Sequence, residues 1–114
     1  MPDSFDRVRA VALALPGVAE GLTFGTPALK VRGKYLAQMW HEDNVLILSM
    51  EIVERDLRIE AEPDIFFITD HFRDWPGVLV RMDQLDDADL RDLIESAWRR
   101  RAPKKLVKTY DAQM

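Results

Sequence analysis

The sequence contains no cysteine among its 114 residues. Disulfides, thiolate nucleophiles and cysteine-ligated zinc sites are therefore excluded, and the absence fits a reducing cytoplasm, where we expect the protein to act. No apolar run approaches the ~18 residues of a membrane span, and the N-terminus lacks the apolar segment of a signal peptide, so no membrane association is expected. The length and a hydrophobic content of 47% predict a single globular domain over residues 1–114.

The chain also lacks the motifs of common enzymes. It has neither a G-x-S-x-G nucleophile turn nor the phosphate loops G-x-x-x-x-G-K-[ST] and G-x-G-x-x-G. His41 and His71 are its only histidines, and they are not spaced as a helical metal-binding pair. Asp70 precedes His71 but would point away from it in an extended chain. We therefore expect a non-enzymatic protein with no catalytic residues, no metal and no cofactor.

Charge is unevenly distributed along the chain, which has a formal net charge of −4. Residues 99–108 contain six of the 16 basic residues and none of the 20 acidic ones. The protein thus has an acidic body and one cationic segment. Such a segment either binds an anionic partner or is a solvated helix end whose cations complement the helix dipole.

Apolar periodicity and turn residues predict the order helix, four strands, helix, two strands, helix. The predicted helices cover 4–15, 52–61 and the segment from Asp86 to Pro103; the predicted strands cover 22–24, 29–32, 35–40, 45–50, 65–69 and 78–83. Beyond Pro103, the basic tail 104–114 has room for a helical turn. This order predicts an α+β fold: an antiparallel sheet of five to six strands, helices packed on one face, and a helix at each end of the domain.

Side-chain patterns predict which helix faces are buried. In the helix over 52–61, Val53, Leu57 and Ala61 form one apolar stripe. In the last helix, Asp86 is a suitable N-cap, and Trp98 lies on the apolar face and should be in the core.

Three separated motifs carry a family resemblance. They are Phe24–Lys34 (FGTPALKVRGK), His71–Gly77 (HFRDWPG) and the closing Ala97-Trp98 with Ala102–Leu106 (APKKL). Together they resemble the MmcQ/YjbR family of small bacterial proteins. The resemblance implies a topology similar to that of frataxin-like proteins and a DNA-binding role through two "wings". The family commonly has an aromatic residue where this chain has Leu29 and Leu36, so a stacking role of that strand does not carry over.

The first candidate wing is the strand and turn 29–34. Alternation predicts Lys30, Arg32 and Lys34 on one exposed strand face, where they could bind phosphates. The alternative is an edge strand whose charges prevent pairing with other chains.

The second candidate wing is the loop 70–77, in which Arg73 and Trp75 combine a cation with an aromatic ring. Alternatively, Trp75 folds back over the sheet. Arg100, Lys104 and Lys105 would add phosphate contacts from the C-terminal segment.

Nucleic acid is therefore the expected partner, bound through its phosphate backbone. The same cations could instead bind an acidic protein or an anionic metabolite. Two projecting hairpins would favour nucleic acid, whereas a concave pocket near Lys30, His71 and Arg73 would favour a small anion.

Overall fold

The computed structural model describes residues 4–40 and 44–113. Its elements follow the predicted order, with one helix added at the C-terminal end. They are α1 Ser4–Ala12, β1 Val18–Thr23, β2 Thr26–Val31, β3 Lys34–Met39, β4 Val45–Ser49, α2 Ile52–Ala61, β5 Phe66–Phe67, β6 Gly77–Arg81, α3 Asp87–Arg101 and α4 Lys104–Ala112.

The six strands form one sheet in the order β1-β2-β3-β4-β6-β5, and every neighbouring pair is antiparallel. Tight connections make hairpins of β1–β2 and β2–β3, while β6 returns to pair with β4. The central strand β4 is buried along its whole length, as its almost wholly apolar sequence predicts. The predicted α+β fold is confirmed.

The main core lies between one face of the sheet and the helices α1 and α3. Phe5 and Val8 of α1 pack there with Leu93 and Trp98 of α3. Trp98 is fully buried, and its indole N–H donates to the carbonyl of Pro16 at 2.8 Å, so the polar end of the ring is satisfied. Its predicted core position is confirmed.

The start of α3 follows its sequence signal. The Asp86 carboxylate accepts a hydrogen bond from the backbone N–H of Asp89 at 2.8 Å, as an N-cap residue does. Leu85 and Leu90 on either side of the cap are both buried in the main core. These contacts fix where the helix enters the core.

Two helix ends differ from the prediction. α1 ends at Ala12 rather than at residue 15, because the N–H of Leu15 turns back to the carbonyl of Ala12 at 3.0 Å and still brings Leu15 into the core. The basic tail forms a complete helix over Lys104–Ala112. Pro103 ends α3 because it has no N–H, and it stands directly before the first turn of α4, where that donor is not needed.

The buried side of α2 was wrongly predicted. Val53 and Leu57 are 73% and 62% exposed, whereas Arg55 is only 2% exposed. Ile59, one turn after Arg55, is half-buried against the main core. The face of α2 that packs against the rest of the protein therefore carries Arg55, and the stripe of Val53 and Leu57 faces solvent.

The β1–β2 turn also lies elsewhere than predicted. β1 continues to Thr23 and β2 begins at Thr26, with Pro27 inside the second strand. Phe24, predicted to lie in a strand, forms the turn together with Gly25, and their φ angles are +51° and +75°. Two positive φ values match the right-handed twist of a two-residue hairpin.

Candidate functional site

The β2–β3 hairpin distributes its cations over both faces of the sheet. In the pairing register, Lys30 lies opposite Tyr35 and Lys34 lies opposite Val31. Paired residues share a face and strand neighbours alternate, so Lys30 and Lys34 lie on opposite faces. Arg32 lies beyond the end of β2, in the turn, with a φ of +49°. The prediction of three cations on one strand face is wrong because the chain turns after Val31.

The turn packs against the C-terminal helix through Gly17. The backbone N–H of Arg32 donates to the Gly17 carbonyl at 3.0 Å. A Cβ placed on Gly17 would lie 3.1 Å from Arg32 Nε and 2.8 Å from Leu106 Cδ2. Glycine leaves room for both side chains, and its φ of +76° lies in the left-handed region that other residues adopt only with strain. The approach of the two side chains brings Arg32 to the first turn of α4.

The junction of α3 and α4 reaches the same hairpin from the other side. Arg101 Nε donates to the backbone carbonyl of Tyr35 at 3.2 Å. Lys104 and Lys105, which open α4, are exposed. The hairpin turn and the helix junction are thus neighbours, and we call their basic residues the cationic end; it consists of Arg32, Lys34, Arg101, Lys104 and Lys105. Lys104 and Lys105 also line a shallow hollow with Arg99, Lys108 and Asp111.

The basic side chains of the cationic end are not paired with acidic side chains. Across residues 4–40 and 44–113, none of its five members forms an ion pair with a carboxylate. Two neighbouring cations of α3 differ in this respect. Arg99 donates to Asp111 at 2.7 Å, a hydrogen bond that raises the pKa of the guanidinium and lowers the pKa of Asp111. Arg100 donates to Ser49 Oγ at 2.7 Å and lies 3.8 Å from Glu51, so its guanidinium is already engaged.

The loop before β6 folds back on the sheet instead of projecting as a wing. The buried guanidinium of Arg55 donates to the carbonyls of Phe72, Arg73 and Trp75 at 3.0, 3.1 and 2.9 Å. The same group lies 3.0 Å from the Asp56 carboxylate, which balances its charge. A single side chain of α2 thus joins three residues of the loop to the helix.

The two predicted binding residues of this loop are both engaged. The side chain of Arg73 is exposed but forms an ion pair with Asp70 at 2.8 Å. Trp75 is half-buried, with its ring centroid 5.3 Å from that of Tyr35 at an interplanar angle of 81°. Its ring also covers Gly77, where a Cβ would overlap it. Trp75 therefore folds back over the sheet, the alternative that the sequence left open.

A groove opens on the face of the sheet opposite α1 and α3. Its volume is about 470 Å³. One side is the β1–β2 turn, the floor comes from β3 and β4, and the other side is the folded-back loop. The lining residues are Thr23, Phe24, Tyr35, Gln38, Trp40, Ile47, His71, Phe72 and Trp75.

The groove contains His71 but neither of the two cations expected beside it. Lys30 lies next to the groove through its pairing with Tyr35, while Arg73 is not among the lining residues. The described part of the chain contains no group of three or more histidine, aspartate or glutamate residues that could hold a metal ion. His41 lies outside the described residues.

Sequence reasoning missed Arg55 and the groove. A signal for Arg55 was present, because Ile52, Arg55 and Ile59 share a helical face that the stripe of Val53 and Leu57 did not explain. The groove had no local signal, since its lining comes from segments far apart in the chain.

Part of the chain is similar in sequence to two mycobacterial proteins. A segment of 52 residues is 44% identical to the uncharacterized proteins Rv2570 of Mycobacterium tuberculosis and Mb2600 of Mycobacterium bovis. The match spans 46% of this chain and only 40% of the length of each relative.

The fold is similar to that of a solved structure, the Deinococcus radiodurans protein DR2400, described as a DUF419 domain. The TM-score is 0.71 at 20% identity, over 84% of this chain and 76% of that one. No helix in the described ranges is long and apolar enough to cross a membrane. The sequence model of the YjbR family matches residues 13–100, and the chain therefore belongs to the YjbR family.

Proposed function

We propose that this protein is a non-enzymatic, cytoplasmic binding module that holds nucleic acid by its phosphate backbone. The observation that supports this function best is the cationic end, where the fold brings together two segments that are distant in the chain and whose five basic side chains have no ion-pair partners among the described residues. Phosphate oxygens accept hydrogen bonds from arginine and lysine, and such contacts dominate the affinity of nucleic-acid-binding proteins.

The start of α4 adds to this attraction. Pro103 precedes the helix and offers no side-chain cap, so the first N–H groups of α4 depend on other acceptors. A helix N-terminus carries a partial positive charge and is suited to a phosphate. Lys104 and Lys105 extend from this same turn, so the dipole and both side chains favour the same ligand.

The footprint differs from the two wings that the family resemblance implied. One wing, the β2–β3 hairpin, contributes Arg32 and Lys34. The place of the second wing is taken by the α3–α4 junction, because the loop with Arg73 and Trp75 is folded against the sheet. Lys30 lies on the groove face and would contact a strand only if the nucleic acid extends around the hairpin.

The test is fluorescence anisotropy of a labelled random duplex, titrated at about 50 and 150 mM salt, with the wild type and two matched double variants. Lys104→Ala/Lys105→Ala removes two charges from the cationic end. Arg73→Ala/Arg91→Ala removes two exposed cations elsewhere.

We expect micromolar binding at low salt that weakens steeply as salt rises. For the first variant, the slope of log K against log salt should decrease by about 0.9 for each phosphate that the protein no longer neutralises. The second variant should retain both the affinity and the slope. Equally weakened binding in the two variants would show that only overall charge matters. No binding of the duplex at 50 mM salt, and none of a labelled single strand under the same conditions, would refute the proposal and direct attention to an acidic protein or an anionic metabolite.

A further inference from the structure

Phe24 is a bulky apolar residue in a conformation and an environment that do not stabilise the fold. Its side chain is 101% exposed, and its φ of +51° lies in the left-handed region that asparagine and glycine adopt most readily. A bulky residue in this region is strained, and an exposed ring contributes no burial energy in return. A strained, exposed aromatic residue at the edge of a groove points to a ligand that covers it.

The turn that carries Phe24 is attached to the floor of the groove. Gln38 Nε2 donates to the carbonyl of Thr23 at 3.0 Å, and the Tyr35 hydroxyl donates to Gln38 Oε1 at 3.1 Å. Burial raises the pKa of Tyr35, so its hydroxyl remains a donor. The backbone of the turn that carries Phe24 is thereby attached to the groove.

One polar atom of the groove is unsatisfied. Among the described residues, Thr23 Oγ1 is buried and has no hydrogen-bond partner. A buried hydroxyl without a partner costs free energy, about 1–3 kcal/mol in proteins. Because Oγ1 itself is enclosed, the polar side chains in the lining that make a ligand with a hydrogen-bonding edge more suitable than a purely apolar one are Gln38 and Tyr35.

The opposite side of the groove is rigid. Trp75 is fixed by its edge contact with Tyr35 and by the hydrogen bonds of Arg55 to the loop backbone. The described lining residues include no carboxylate, and Lys30 stands beside Tyr35 on this face without an ion-pair partner in the described chain. The groove thus combines aromatic rings, a hydrogen-bonding floor and a neighbouring cation.

We propose that this groove binds one unpaired nucleobase of a single-stranded nucleic acid, stacked on Phe24, with the adjacent phosphate at Lys30. This inference rests on the proposed function and adds to it a subsite for strands whose bases can leave the stack. A base has a flat face for the ring and a polar edge for the floor, and its phosphate carries the charge that Lys30 complements. A base within a duplex cannot enter, because its edge is paired and both its faces are stacked.

The test compares a labelled single strand, the same strand with abasic sites and the matching duplex, at about 50 mM salt. The variant is Phe24→Asn, which removes the ring and places a favoured residue in the turn, so we expect it to fold at least as stably as the wild type. The control is Leu22→Thr. Leu22 is also exposed on the same hairpin. Because it precedes Thr23, which lines the groove, its side chain lies on the face of β1 that is turned away from the groove.

We expect Phe24→Asn to weaken single-strand binding about fivefold or more and to leave duplex binding unchanged, since one stacked base supplies at least that factor. Abasic sites in the strand should have the same effect on the wild type. Leu22→Thr should change neither affinity by more than about twofold.

Two results would overturn the inference while leaving the proposed function intact. Either Phe24→Asn leaves both affinities unchanged, as expected if an apolar side chain of a protein partner occupies the groove, or the abasic strand binds as tightly as the intact one. The absence of binding to both the duplex and the single strand would refute the proposed function itself, and the inference with it.

Discussion

Replacing Arg55 by alanine should release the loop that forms one side of the groove. The wild-type guanidinium is buried and donates to three loop carbonyls within 3.1 Å. In Arg55→Ala the three carbonyls lose their charged donor at once, although those of Phe72 and Trp75 still accept from the backbone N–H groups of Trp75 and Gly77, and a cavity forms beneath the loop. Because the hydrogen bonds join α2 to residues 17 to 20 positions away, no local rearrangement of the helix restores them.

Two routes to the free-energy cost agree. Hydrogen bonds to charged groups contribute about 1.5–3 kcal/mol each, but they do not add fully because the loop can open and let water reach the carbonyls. If the loop opens, Phe72 and part of Trp75 become exposed, at a cost of roughly 1.5–3 kcal/mol per large side chain. Together the two routes bracket a destabilisation of about 2–5 kcal/mol, large enough to measure within the usual stability of a small domain.

Chemical denaturation measures the free energy of unfolding, and hydrogen exchange of residues 70–77 reports on loop opening. Arg58→Ala is the matched control, because Arg58 lies one turn further along α2 and forms a partly exposed ion pair with Glu54; its removal should cost less than about 1 kcal/mol. Arg55→Lys keeps the charge but not the planar fork, so it should restore only part of the stability. A destabilisation below about 1 kcal/mol in Arg55→Ala, with the loop still protected, would refute this account.

Two further predictions concern the packing of Trp75 and the attachment of α4. Gly77→Ala places a Cβ inside the ring of Trp75 and should cost about 1–3 kcal/mol with a red-shifted tryptophan emission. Gly21→Ala, where nothing lies within 4 Å of the new Cβ, is its control and should change stability by less than about 0.5 kcal/mol. Because the hydrogen bond from Arg99 lowers the pKa of Asp111, the pair stabilises the fold above the usual carboxyl pKa, and its contribution disappears as the pH falls through the lowered value. An NMR titration of Asp111 should show an upward return of its pKa in Arg99→Gln, and an unchanged midpoint would mean that the pair does not form.

The fold was predictable where local signals and burial agree. The Asp86 cap, the almost wholly apolar strand β4 and the apolar face around Trp98 each carry their own signal, and the structure places each as expected. Element order followed from such segments. The prediction was wrong where the decisive contact is remote, as in α2, whose buried face depends on a loop that follows it in the chain.

The candidate site was less predictable because it depends on register and on pairing between segments. If one strand is assumed to continue through residues 30–34, alternation predicts Lys30 and Lys34 on the same face. The turn after Val31 places them on opposite faces, and the position of this turn was not predicted. Arg73 has the composition of a binding residue but is paired with Asp70. No single-residue property distinguishes Arg100, which is engaged, from Arg101, whose charge has no carboxylate partner among the described residues.

The net charge of −4 does not prevent the cationic end from attracting phosphates. α3 has 15 residues and is therefore about 22 Å long, with Asp87 and Asp89 in its first turn and Arg101 at its last position. At physiological salt the screening length is about 8 Å, so the acidic start of α3 lies more than two screening lengths from the cationic end. The hollow lined by Lys104 and Lys105 also contains Asp111, but that carboxylate is paired with Arg99. Under the proposed function, a phosphate approaching Lys104 would therefore meet mainly the local cations. The acidic remainder would repel a nucleic acid that approached by another surface, and this difference would orient a bound strand toward the hairpin and the groove.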